Sequence, residues 1–202
     1  MDAETLVLAS ASPRRRELLQ QIGVRFRVQA ADIDETPQPK ESAQDLVQRL
    51  ACGKALAVQQ ALAVQHQHPV ILAADTVVSC TGTVLGKPRH GADAARMLGL
   101  LSGNSHEVCS AVVVCHRNRL ATRLSVSTVS FRELSAAEID AYWASGEPQG
   151  KAGSYAIQGI GGMFVSHLTG SYSGVVGLPL CETAELLTEF GVAHALRPAR
   201  PR

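Results

Sequence analysis

The sequence predicts a mixed α/β domain, and three observations carry that reading. Short apolar runs of strand length, such as Leu6 to Ala9 and Val70 to Val78, alternate with longer segments whose apolar residues recur at helical spacing. The helical segments open on Ser, Ser-Pro or Pro, and several close on Gly, which are start and stop signals with a backbone cause. The 202 residues contain no internal repeat, and their 46% apolar content is enough for a real core and excludes intrinsic disorder. One domain, or one sheet with an appended lobe, is the expected organisation.

Taken in order, Leu6 to Ala9 reads as a buried strand. Ser12-Pro13 opens a helix, with Ser as N-cap and Pro at the first helical position; Leu18, Leu19 and Ile22 form its apolar face and Gly23 stops it. Val24 to Val28 is the next strand, and the acidic, Pro-containing residues 31–41 are a loop. Ser42 starts a second helix running to about Val64. Val70 to Val78 is a strand, Thr81-Gly82-Thr83 a turn, and Val84-Leu85 the returning partner. Ala92 to Leu101 is helical and ends at Ser102-Gly103-Asn104. Val108 to Cys115 and Leu120 to Phe131 form a hairpin turning near Asn118. Ser135-Ala136-Ala137-Glu138 has the spacing of a capping box and opens the helix carrying Tyr142 and Trp143. A Gly-rich segment runs from Gly146 to Gly177, and Pro179 opens a final helix that ends at Gly191. The domain is expected over residues 1–194, with a basic, Pro-rich and disordered tail over 195–202.

A net charge of +1 gives no global field that would select nucleic acid or membrane, so affinity for an anion must come from local clusters. Aromatic residues are few and no stacking platform for bases is evident, so nucleic acid is not an expected partner. Five cysteines, an odd number with no C-x-x-C pair, fit reduced thiols better than a disulfide frame or a zinc site. The N-terminus lacks the pattern of a secretory leader, and the apolar runs are too short to span a bilayer. A cytoplasmic protein is expected.

The strongest local signal is Ser10-Ala11-Ser12-Pro13-Arg14-Arg15-Arg16, which joins a strand to a helix N-terminus. Free N–H groups and the helix dipole attract anions there, and arginines in that first turn are unfavourable by roughly 0.3–1 kcal/mol each unless an anion is present. The alternative is a surface cap with solvated arginines. Lys54 falls on the apolar face of its helix, between Leu50 and Val58, where it either snorkels out or meets an anion. Asp75 interrupts an apolar strand and must be paired, either in a structural salt bridge or at a metal or substrate. The turn at 81–83 would fold Lys87 back near Asp75. Glu35 lies in the acidic loop, where a solvated charge is the plain reading. Together these parts form a phosphoryl-transfer kit of cations with one or two carboxylates. The chain has no G-x-x-x-x-G-K-[ST] segment, which excludes a P-loop enzyme.

Four co-linear blocks then resemble the Maf family of nucleoside triphosphate pyrophosphatases. They are Leu8 to Arg15; Ala74-Asp75-Thr76-Val77-Val78 with Leu85-Gly86-Lys87-Pro88; Ser145 to Gly159; and Gly170 to Ser173 with Val176 to Leu180. The resemblance spans roughly residues 5–191. It implies an inosine-triphosphatase-like fold, with a central mixed β-sheet, flanking helices and a second lobe around a cleft. It also implies cleavage of a nucleoside triphosphate to the monophosphate and pyrophosphate, with Mg²⁺ or Mn²⁺ as cofactor. By position, Asp75 is the implied proton acceptor or metal-linked base and Glu35 its partner at the metal. Ser10, Arg14, Arg15, Lys54 and Lys87 are the implied phosphate holders, and Gln158 faces base or sugar. Arg14, Thr76 and Gln158 match the branch acting on dTTP and UTP. In the fourth block, where the family often carries Asn, this chain has Gly174. The family further implies a homodimer. Two alternatives stand beside this reading: a pyrophosphatase for 7-methyl-GTP or another non-canonical nucleotide, and a non-enzymatic regulator of septum formation.

Overall fold

The computed structural model describes residues 6–197. Seven strands form one mixed sheet in the order β2-β1-β3-β5-β6-β7, with β4 folded back on β3. β1 (Leu6–Leu8) lies between β2 (Phe26–Val28) and β3 (Ile71–Cys80) and runs parallel to both. Parallel neighbours require crossovers. These are supplied by α1 (Pro13–Gln21) and α2 (Ala43–Ala63). β4 (Thr83–Leu85), β5 (Ser105–His116), β6 (Arg119–Phe131) and β7 (Val165–Thr169) pair antiparallel. The remaining helices are α3 (Gly91–Leu101), α4 (Ala136–Ala144), α5 (Tyr172–Val176) and α6 (Leu180–Glu189).

The period-2 alternation of β3 divides the core. Ile71, Ala73 and Val77 pack with Leu46, Leu50, Ala51 and Ala55 of α2 on one face of the sheet. Leu72 and Ala74 pack with Leu18 and Leu19 of α1 and Leu186 and Leu187 of α6 on the other. Further along, Val78 and Cys80 join a third core with Met97, Leu98, Ile139, Tyr142 and Phe131.

Local chemistry places the element ends. Ser42 accepts from the Asp45 N–H at the start of α2, and Ser135 and Glu138 form the expected capping box on α4. The β5–β6 hairpin turns through Arg117 and Asn118, with Arg117 at φ 52°. Ser12 occupies the N-cap position of α1, but its side chain caps nothing.

The Gly-rich segment is more structured than its composition indicates. It holds two 3-10 turns, Ala152–Ser154 and Ile160–Phe164, together with β7 and α5. β7 is a half-exposed edge strand with few apolar residues, so its sequence carries little strand signal before β6 is in place beside it. At the C-terminus, the first residues of the expected tail are tied down. The Ala195 N–H donates to the Ile22 carbonyl at 2.8 Å, and Arg197 Nη1 donates to the Thr188 carbonyl at 3.0 Å. Residues 198–202 of that tail lie outside the described residues. Among the described residues, no helix is long and apolar enough to cross a membrane.

Candidate active site

Two adjacent residues of β3, Asp75 and Thr76, point to opposite faces of the sheet, and each meets a different helix. Asp75 faces α2. There Lys54 Nζ donates to Asp75 Oδ1 at 2.6 Å and lies 2.6 Å from Glu35 Oε1. Glu35 arrives from the loop between β2 and α2, and its Oε2 accepts from Lys87 Nζ at 3.3 Å. Lys54 and Asp75 are each only 8% exposed, so neither charge can rely on bulk water and the pairing is obligatory. Burial alone would raise the Glu35 pKa. The hydrogen bond and charge of Lys54, helped by Lys87, outweigh that and hold the carboxyl below its ordinary range. The turn at 81–83 does bring Lys87 to the cleft, but its ion-pair partner there is Glu35 of the acidic loop rather than Asp75.

Thr76 faces α1. Arg15 reaches in from the first turn of that helix and is ringed by acceptors: Nε donates to the Gly177 carbonyl at 2.9 Å, Nη1 to Ser10 Oγ at 3.1 Å and Nη2 to Thr76 Oγ1 at 3.4 Å. Its Nη2 stands 3.8 Å from Asp75 Oδ1, which joins the two halves of the site. Thr76 Oγ1 also lies 2.9 Å from Ser110 Oγ, and Ser110 donates to the Gly174 carbonyl at 2.7 Å. Ser110 is the register partner of Thr76 on β5, so the sheet itself aligns this relay. Burial lowers the Arg15 pKa, and the Asp75 charge only partly offsets this. The guanidinium is thus satisfied in hydrogen bonds and short of negative charge.

The rim is built differently. Arg14 is half-buried, and its Nε is buried without a hydrogen-bond partner among the described residues. Burial lowers its pKa too. Gln158 stands exposed on the cleft wall and makes no hydrogen bond within the described residues. Lys151, part of the third block but given no role from sequence, also lines the cleft. Its Nζ donates to the Glu147 carbonyl, and burial and then the Arg14 charge lower its pKa. No periodicity or cap singles Lys151 out in the sequence; only its place on the wall does. Arg16, the third arginine of the cluster, is exposed and outside the cleft lining.

The resulting cleft has a volume of about 590 Å³ and is lined by all nine residues singled out from sequence: Ser10, Arg14, Arg15, Glu35, Lys54, Asp75, Thr76, Lys87 and Gln158. That size suits a nucleotide-scale ligand. Five cationic side chains line it against two carboxylates, so an added polyanion would balance the site. It lies where β1 leads into the N-terminus of α1, and Ser12 leaves the N–H groups of that first turn unused. Among the described residues there is no group of three His, Cys, Asp or Glu placed to hold a metal by themselves.

The fold thus carries a cation-rich cleft with a pair of carboxylates at its floor. The family model described as Maf-like protein matches residues 5–190, and the chain belongs to that family. It is 52% identical over 189 residues to the "dTTP/UTP pyrophosphatase" of Pseudoalteromonas atlantica, covering 94% of this chain and 98% of the relative. The protein of the same name from Hahella chejuensis is 52% identical, covering 93% of this chain and 92% of the relative. That from Bordetella parapertussis is 53% identical over 197 residues, covering 95% of each.

Proposed function

We propose that the protein hydrolyses dTTP and UTP to the monophosphate and pyrophosphate. The observation that carries this reading is the Asp75–Lys54–Glu35–Lys87 chain of charges at the floor of a cleft with an excess of cations. The relatives' shared name supports the substrate class. Ser10, Arg14, Arg15, Lys54, Lys87 and the first-turn N–H groups of α1 bind the triphosphate. Lys54 and Arg15 both approach Asp75 at Oδ1. Oδ2 is therefore the atom assigned to take the proton of a water attacking the α phosphorus. The bond from that phosphorus to the bridging oxygen breaks, and pyrophosphate leaves with charge balanced by the surrounding cations.

The donor set fits a divalent cation. Mg²⁺ commonly uses one or two carboxylates and takes its remaining ligands from water and substrate phosphates. Asp75 and Glu35, brought together on a single ammonium, are such a pair. They would hold Mg²⁺ or Mn²⁺, which would neutralise phosphate charge and acidify bound water. The homodimer implied by the family is checked by sedimentation.

The deciding experiment measures pyrophosphate release from a panel of triphosphates with Mg²⁺ or Mn²⁺. Turnover of dTTP and UTP above the purine nucleotides is expected. A clear preference for 7-methyl-GTP overturns the substrate assignment. Absence of pyrophosphate release from every nucleotide overturns the enzyme reading in favour of a regulator.

A further inference from the structure

Glu147 does not line the cleft, yet it holds the segment that carries Gln158. Its Oε2 accepts from the Ile160 N–H at 2.9 Å, and its Oε1 accepts from the Gly161 N–H at 2.9 Å and from the Tyr142 hydroxyl at 2.7 Å. The Tyr142 hydroxyl in turn accepts from the Ala156 N–H at 3.1 Å. Backbone donors before and after Gln158 are therefore tied, through one buried phenol and one carboxylate, to α4 and the loop after it.

The local sequence fits this closure. A Cβ at Gly159 would overlap the Glu147 carboxylate, and a Cβ at Gly161 would collide with the Tyr142 hydroxyl. Both glycines admit the close backbone approach that the closure needs. Burial would raise the Glu147 pKa, but the Gly161 and Ile160 N–H groups, the Tyr142 hydroxyl and the Lys151 charge outweigh it, so the carboxylate stays ionised. Burial and the Glu147 bond push the Tyr142 pKa up, which keeps the phenol a donor.

We propose that Glu147 is a positioning residue for nucleotide selection: with Tyr142 it holds residues 156–161 so that the otherwise untethered Gln158 amide is presented at a fixed place on the cleft wall. This rests on the proposed pyrophosphatase reading. Glu147 touches neither phosphate nor the attacking water, so its loss acts through Gln158 on which base is bound and leaves the chemistry at Asp75 in place.

The test uses the full-length enzyme with Glu147→Gln, Tyr142→Phe, Gln158→Ala and the Glu147→Gln/Gln158→Ala double variant. Steady-state kinetics are read with dTTP, UTP and GTP, and dTTP affinity is read without metal. Glu147→Gln is expected to raise KM for dTTP about 10-fold with kcat within about 3-fold, and to narrow the dTTP-to-GTP ratio of kcat/KM. Tyr142→Phe keeps the packing and is expected to shift the same quantities in the same direction; it carries the test if Glu147→Gln fails to fold. The double variant should be no worse than the more affected single variant, to within about 2-fold, because both changes break one unit. Effects that multiply, or a fall in kcat with the nucleotide ratio unchanged, overturn the proposal while the pyrophosphatase reading stands. A wild type that neither binds nor hydrolyses dTTP overturns both.

Discussion

The floor and the rim of the cleft are held in place by different means. At the floor, charged side chains hold one another: Asp75 and Glu35 on Lys54, and Arg15 among Ser10, Thr76 and the Gly177 carbonyl. At the rim, Gln158 and Lys151 are placed by backbone contacts that converge on Glu147. On the proposed reading, the charged groups of the floor act on the triphosphate whatever the base. A rim built on backbone can alter nucleotide choice without disturbing those groups. Substitutions should separate the two.

The largest expected effect is at the floor. Asp75→Asn should lower kcat by about 10²–10⁴-fold, equally for dTTP and UTP, while dTTP binding measured by calorimetry persists. Unequal losses for the two nucleotides would blur the distinction between floor and rim. Lys54→Met leaves two carboxylates without their shared cation and should cost about 3 kcal/mol of unfolding free energy at pH 7, read by urea titration. The Glu35 share has a definite sign. Its folded pKa is depressed, so that stabilisation is present above the ordinary Glu pKa of 4.5 and is lost as pH falls through the lower folded value. The gap between wild type and Lys54→Met should narrow there.

A third effect lies beside Phe131 and Tyr155 of the third core. His106 is buried between Phe131 and Tyr155, its Nε2 lies 2.9 Å from the Tyr155 hydroxyl, and burial lowers its pKa to about 4. The unfolded chain takes up this proton below its ordinary pKa of 6.5, and the folded chain only near 4. Stability should therefore fall by about 3 kcal/mol as pH drops across that window. His106→Gln should remove this part of the slope in urea titrations at stepped pH and leave the dTTP-to-GTP ratio unchanged. The smallest effect is at the rim: Gln158→Ala should lower kcat/KM for dTTP about 10-fold, at least as much as Glu147→Gln, and mostly through KM.

Much of this was legible in advance, for reasons that differ by element. α1, α2 and α4 carry their own start signals in Ser12-Pro13, Ser42 and the Ser135–Glu138 box, and β3 is an apolar run long enough to name itself. β7 and α5 were not legible, because a short edge strand and a five-residue helix are set by their neighbours rather than by propensity. Within the site, Asp75 and Lys54 announced themselves as charges in apolar settings. Lys151 and Glu147 gave no such signal, since a polar residue in a Gly-rich loop is unremarkable until the loop closes.

The sequence by itself determined which residues could do chemistry with phosphate: the Ser10–Arg15 turn, the carboxylate within β3 and the lysine on the apolar face of α2. Those are local facts, read from spacing and from the cost of burying a lone charge. Only the tertiary structure decided which charge meets which. The two parallel crossovers deliver Arg15 and Lys54 to opposite faces of β3, so that consecutive residues, Asp75 and Thr76, serve the same cleft from two sides. Lys87 met Glu35 rather than Asp75 because pairing across long separations depends on how loops pack, which no local pattern encodes.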